Sequence, residues 1–273
     1  MLETLKNDLR AKITLLIFLL FTISWIIIKA TPDSTNIYHH LWGDTYGIMA
    51  FLGGICGLFI SKKWGGTKSV IGNALLFFSL GLLLQEFGQI TYSYYVDIEH
   101  IGIPYPSLGD IGYFGSIPAY IIGIIHLAKA SGVRIGLKSF ENKAQAIIIP
   151  IIILILGYFL FLQKYTFDWS NPMKIFLDFG YPMGEAIYIS FAILTYILSR
   201  NILGGIMKNK VLLILLALCF QFLSDYTFLY NSSKGTYEVA GYNDYIYFFA
   251  YFIMTLAIIQ FNQVFKKIRS EKI

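Results

Sequence analysis

Charge is what this chain has least of. Asp, Glu, Lys and Arg together make up 14% of its 273 residues, against 56% for the hydrophobic types. Soluble globular domains carry about 25% charged residues, so the composition argues for a membrane protein. No stretch within these residues is polar and long enough to form a separate soluble domain. Cysteine is equally sparse: Cys56 and Cys219 both fall in apolar segments, with no CxxC. That excludes a disulfide framework and a thiolate metal site. Among the four histidines there is neither an HExxH nor a His-x-x-x-His pattern, so the usual zinc sets of hydrolases are absent. No glycine-rich phosphate loop follows a strand, and no mid-helix lysine offers a retinal Schiff base. No catalytic set can be assembled, and no metal or cofactor is called for.

What is there is apolar and segmented. Eight runs are long enough to span a bilayer of about 30 Å, at roughly 13–29, 46–61, 70–92, 110–130, 145–163, 178–199, 211–230 and 245–264. Residues 1–12 read as a cytoplasmic interfacial segment, with Leu2, Leu5 and Leu9 at helical spacing. Residues 13–264 form the bundle and 265–273 a basic cytoplasmic tail, so 1–273 is one integral membrane domain. The first run ends in WIIIKATPD, which lacks a good A-x-A cleavage site, and is read as a retained helix.

Lys and Arg sort by side. Seventeen of 21 fall on the side of the N-terminus, the 62–68, 129–143 and 200–210 loops and the tail. Only Lys29, Lys164, Lys174 and Lys234 fall at the other ends. The positive-inside rule therefore places both termini in the cytoplasm. Topology accounts for these basic loops, and no nucleic-acid partner is expected. His39, His40 and His100 share the outer loops with Asp33, Asp44, Asp97 and Glu99, but their spacing matches no metal motif. His126, near an inner helix end, has no partner motif and reads as a packing residue.

Each even-numbered run opens on the outer side with an aspartate: Asp44, Asp110, Asp178 and Asp244, separated by 66, 68 and 66 residues. So regular a period points to an internally repeated helical hairpin, four copies in one orientation. The last three copies agree further. Tyr113, Tyr181 and Tyr247 stand at +3, Ile117, Glu185 and Tyr251 at +7, and Tyr120, Tyr188 and Met254 at +10. Offsets of 0, 3, 7 and 10 share one helical face. The first copy departs, with Gly47 and Phe51 at those places and Gly53-x-x-x-Gly57 beyond, a pattern of close helix approach. The four aspartates are expected to be helix N-caps, structural rather than functional.

Capping does not explain the deeper acids. Glu185 lies about 10 Å beyond Asp178 at 1.5 Å per residue. Glu86 sits in LLQEFGQITY and Asp225 in FQFLSDYTF. Intramembrane acids are costly and should face the bundle interior or a wet cavity. The expected site is an outward-opening polar cavity lined by Glu86, Gln89, Glu185, Gln221 and Asp225, with Tyr113, Tyr181, Tyr188 and Tyr247 supplying rings. Apart from Lys29 and Lys129 at run ends, no Lys or Arg falls within the runs to neutralise these acids. Such a cavity suits a small cationic ligand through cation–π contact, or a neutral one, and could respond to protons. The plainer alternative is hydrogen-bonded glue between helices.

Three segments carry a resemblance. Pro106, Ser107, Asp110 and Tyr113 match a Pro-Ser-x-x-Asp-x-x-Tyr stretch. Asp178, Tyr181, Pro182 and Gly184 match Asp-x-x-Tyr-Pro-x-Gly, and Asp225, Gly235 and Thr236 follow in order. Over residues 70–264 the chain resembles a multi-span membrane module of prokaryotic signalling proteins, one commonly fused to diguanylate cyclase (GGDEF) and phosphodiesterase (EAL) domains. The resemblance implies a sensory input module in the membrane, here expected to stand alone and to signal through a separate partner in the membrane or cytoplasm. The expectation is thus an all-α, eight-span bundle in the cell membrane, four parallel-oriented hairpin repeats with both ends cytoplasmic, that binds a ligand from outside. The alternative is a small-solute or cation- or proton-coupled transporter or channel.

Overall fold

Backbone N–H and C=O groups find no water in hydrocarbon, so an apolar chain of this length must satisfy them within helices or a closed barrel. The computed structural model describes residues 8–31, 37–133, 139–163, 165–199 and 207–270, and these residues are helical with short connections. Nine α-helices are seen among them: α1 Leu9–Lys29, α2 Ile37–Thr45, α3 Ile48–Lys63, α4 Val70–Ser93, α5 Gly109–Ala130, α6 Phe140–Gly157, α7 Pro172–Ser199, α8 Lys208–Lys234 and α9 Tyr242–Ser270. Helices α4 and α6 continue through wider turns at Tyr94–Ile98 and Tyr158–Leu162. With α2 and α3 joined as one span, eight helical segments are long and apolar enough to cross a membrane.

Local signals explain where the segments begin. Asp8 accepts the Arg10 N–H and starts α1, so residues 9–12 belong to the first spanning helix. Leu2 and Leu5 of the expected interfacial segment lie outside the described residues, as do Lys6, Arg134, Lys138, Lys164, Arg200 and Lys272. Ser69 accepts the Gly72 N–H at the start of α4. The α7 boundary corrects the expectation of a start at Asp178. Asn171 accepts the Lys174 N–H and Pro172 takes the first helical position, where its missing N–H costs nothing. Asp178 therefore sits two turns into α7 and caps nothing. Asp44 is no cap either, because α2 runs through it and α3 begins after Gly47. Asp110 and Asp244 come nearer to the expected role. Each lies in its helix's first turn and reaches back to a preceding backbone N–H, that of Ser107 at 2.7 Å and that of Ala240 at 2.8 Å.

Six helices contact one another in a closed circuit: α9–α3, α3–α4, α4–α5, α5–α7, α7–α8 and α8–α9. Helix α1 packs on α9 from outside the circuit, and α6 packs on α7. Burial follows this plan, since 83% of the most apolar stretch of α9 is enclosed and 6% of that of α6. The outer helices turn Leu16, Leu20, Ile23, Ile148, Ile152 and Ile155 outward, as lipid-facing surfaces require. At the end where α1 begins, Asn262 of α9 bridges Asp8 and Lys63, and Trp64 donates to the Phe261 carbonyl.

Small residues set the distance between helices, because lipid gives apolar side chains no reason to leave it and packing must supply the attraction. The Gly53 and Gly57 pair does what its spacing predicts. A Cβ on Gly53 would lie 2.1 Å from Thr255 Oγ1 of α9, and one on Gly57 would lie 2.0 Å from Ser79 Oγ of α4. Gly112 is less forgiving. Its missing Cβ would meet the Leu84 carbonyl oxygen at 2.4 Å and the Gly88 nitrogen at 2.5 Å, both backbone atoms that cannot turn aside. Gly112→Ala is thus expected to destabilise the bundle by roughly 1–3 kcal/mol, the usual cost of overpacking. Gly115→Ala, whose Cβ would meet Leu84 methyls at 3.7 Å, should be nearly neutral. Thermal unfolding of both variants in detergent checks this; equal midpoints would refute it.

Candidate ligand cavity

Five helices of the circuit, α4, α5, α7, α8 and α9, line a cavity of about 710 Å³, joined by Tyr46 from the α2–α3 joint and by Leu160 and Phe161 from the wide turn after α6. Its walls come from one end of the bundle: residues 85–92 of α4, 110–117 of α5, 174–185 of α7, 225–233 of α8 and 244–251 of α9. The 103–107 loop, Tyr165 and Tyr237 add the mouth. The helical offsets read from the sequence converge here. Asp110, Tyr113 and Ile117 on α5, Asp178, Tyr181 and Glu185 on α7, and Asp244, Tyr247 and Tyr251 on α9 all line it. One turn deeper, Tyr120, Tyr188 and Met254 are buried side chains that do not line it. Three helices thus present the same face to one space, and the next layer closes it.

Its acids are held by phenols. Asp225 accepts Tyr188 at 2.9 Å, Tyr247 at 2.8 Å and the Gln221 amide at 3.0 Å. Asp110 accepts Tyr181 at 2.7 Å. Asp178 accepts Tyr105 at 2.8 Å and Tyr165 at 2.7 Å, and Asp244 accepts Tyr237 at 3.0 Å. A tyrosine hydroxyl suits this environment, bringing a donor on a largely apolar ring. Amides complete the wall: Gln85 donates to Ser116 Oγ at 2.8 Å and accepts Tyr251 at 3.0 Å. Gln89 donates to the Gly43 carbonyl at 2.7 Å and accepts Tyr113 at 3.1 Å. Glu185 differs: it is 2% exposed, and its Oε2 has no hydrogen-bond partner.

Of the expected lining, Gln89, Tyr113, Tyr181, Glu185, Asp225 and Tyr247 are brought together. Tyr188 and Gln221 stand behind the wall as donors to Asp225. Glu86 does not line the cavity. Adjacent helix positions point about 100° apart, so Gln85 faces the cavity while Glu86 lies against Gly47, where a Cβ would meet its Oε2 at 2.0 Å. The aspartates expected to be structural caps, Asp110, Asp178 and Asp244, line the cavity, whereas Asp44 accepts Ser93 and stays out of it. The expectation that no base falls within the spans is also corrected. Because α7 starts at Pro172, Lys174 is helical, and its ammonium lies 2.6 Å from Asp178. The i, i+4 spacing of Lys174 and Asp178 was the available signal. Tyr46, Tyr92, Tyr105, Tyr165 and Tyr237 were also missed; they reach the cavity from loops, helix joints or positions outside the shared offsets. His126 behaves as a packing residue, stacked on Phe77, with Nδ1 2.9 Å from the Ile122 carbonyl oxygen.

The mouth is a cation box already filled. The Lys174 ammonium lies 5.6 Å from the Tyr105 ring centre and 5.9 Å from that of Tyr165, while paired with Asp178. Donating to Asp178 pushes the Tyr165 phenol up to about 12. Burial, then the same carboxyl, raises Tyr105 further. Burial, then the neighbouring Asp244, raises Tyr237 well above the usual phenol value.

No family model matches the sequence, and no curated protein or solved structure matches the chain.

The Tyr165 shift has a checkable sign. A raised value means that the folded state keeps the proton longer. The contribution is then whole below the ordinary phenol value of about 10 and lost as pH climbs from there to about 12. Asp178→Asn removes the acceptor charge and should return Tyr165 toward the ordinary value. The measurement is tyrosinate absorbance, with and without Tyr165→Phe in each background; an unmoved midpoint contradicts the assignment.

Proposed function

We propose that this chain is a sensor-like protein of the cell membrane that binds a small solute in an outward-facing acidic cavity and reports it to a separate signalling partner. The observation that carries the reading is a cavity lining confined to one end of the bundle. A volume of about 710 Å³ falls in the range of small-molecule sites. The lining ends at residue 85 on α4, 117 on α5, 185 on α7, 225 on α8 and 251 on α9. A transporter or channel needs polar lining through the other half, which the buried Tyr120, Tyr188 and Met254 layer does not supply.

Two further parts belong to this proposal. The four-hairpin repeat is supported by contacts within α4–α5, α6–α7 and α8–α9, and by the shared offsets on α5, α7 and α9. The resemblance to prokaryotic sensory membrane modules is supported by where its motif residues fall. Ser107, Asp110, Tyr113, Asp178, Tyr181, Pro182 and Asp225 all border the cavity. The excess of Lys and Arg at the opposite end supports an outward mouth and cytoplasmic termini.

In proteoliposomes the purified chain should move neither small cations nor neutral solutes down a gradient. Flux that disappears with Asp225→Asn would overturn binding in favour of transport. Orientation has its own check, in a background with Cys56 and Cys219 replaced. Ile101→Cys, exposed in the mouth loop, should react with an impermeant maleimide on intact cells, and Lys68→Cys only after permeabilisation. The reverse pattern would invert the topology.

A further inference from the structure

Given that the cavity binds a small solute, on which this step rests, we infer that the solute is a protonated primary or secondary amine that donates an N–H to Glu185. Glu185 borders the cavity at 2% exposure, and its Oε2 has no partner. The tyrosine donors around it are committed elsewhere: Tyr181 to Asp110, Tyr188 and Tyr247 to Asp225, and Tyr251 to Gln85. Lys174 is engaged with Asp178. The wall therefore lacks one donor, at a place where a buried acceptor is costly to leave unmet.

Charge points the same way. Among the described residues, five carboxyls border the cavity, those of Asp110, Asp178, Glu185, Asp225 and Asp244, and Lys174 is the one ammonium in its lining. A cation entering this space is favoured, and tyrosine rings can flank it, as Tyr105 and Tyr165 already flank Lys174 at the mouth. Two other classes of cation fit less well. A quaternary ammonium carries the charge but no N–H for Glu185. A coordinated metal ion needs several ligands, and among the described residues no group of three His, Cys, Asp or Glu side chains is arranged to hold one. A neutral alcohol brings the donor without the charge.

The test uses the full chain in nanodiscs and isothermal titration with a panel of alkyl, arylalkyl and diamine primary amines. Each is compared with its N-trimethyl and its alcohol counterpart, and with sodium and calcium ions. At least one amine should bind roughly tenfold or more tightly than both counterparts, because a site built around a hydrogen bond rejects analogues lacking it. Glu185→Gln should lower that affinity by at least about tenfold, whereas Glu86→Gln, whose orphan oxygen lies outside the cavity, should leave it unchanged. Equal binding of the trimethyl form, an unchanged Glu185→Gln affinity, or no amine binding in the panel would each overturn the inference. Tight binding of an alcohol alone would overturn it while leaving the ligand-binding reading intact; Asp225-dependent flux would remove that reading as well. The amine-against-trimethyl comparison is made on the unaltered chain, so it stands even if Glu185→Gln fails to fold.

Discussion

The constraint on which the rest depends is the meeting of phenol and carboxyl inside a low-dielectric bundle. An acid among apolar helices must find a donor, water or a counter-charge, or it destabilises the fold. Here the donors are mostly tyrosine hydroxyls from neighbouring helices: Tyr181 on α7 to Asp110 on α5, and Tyr188 on α7 with Tyr247 on α9 to Asp225 on α8. Each such bond crosses a helix boundary. The polar groups therefore do two things at once: they fix which helices are neighbours, and they hold a space between them that side chains do not fill.

Close packing sustains that space. Gly53, Gly57 and Gly112 bring α3, α4, α5 and α9 near enough for backbone and short side chains to touch. Tyr120, Tyr188 and Met254 then fill the next layer. In the layer above, ring-bearing donors reach to carboxyls and amides across the helices and leave the cavity between them. Its lining stops above the Tyr120, Tyr188 and Met254 layer on α5, α7 and α9.

Among the carboxyls that line the cavity, one stands outside this economy of donors. Glu185 occupies the +7 position that Ile117 and Tyr251 fill on the sister helices, and its Oε2 has no partner. Where α5 and α9 place an apolar group and a donor, α7 places an acceptor. Within a wall whose other acids are met by donors, this residue is the acceptor left over.

Much of the architecture was legible from residues alone. Eight apolar runs, the Gly53–Gly57 contact and the shared face at offsets 0, 3 and 7 follow from hydropathy and helical period, which act locally along the chain. The caps were less so. Asn171 and Pro172 outcompete Asp178 as a helix start, and that contest depends on which bonds the tertiary structure leaves for Asp178 to make. Glu86 and Gln85 are one residue apart, and sequence could not choose between them, because a uniformly apolar helix carries no moment to orient it. The rotation of α4 is set by Gly88 lying under the Tyr113 ring and by Gly47 leaving room for Glu86. The sequence by itself determined the helices, their number and the face that three of them share. Only the tertiary structure decided which acids meet, which donors they receive and which oxygens go without, since those bonds join residues that only helix packing brings together.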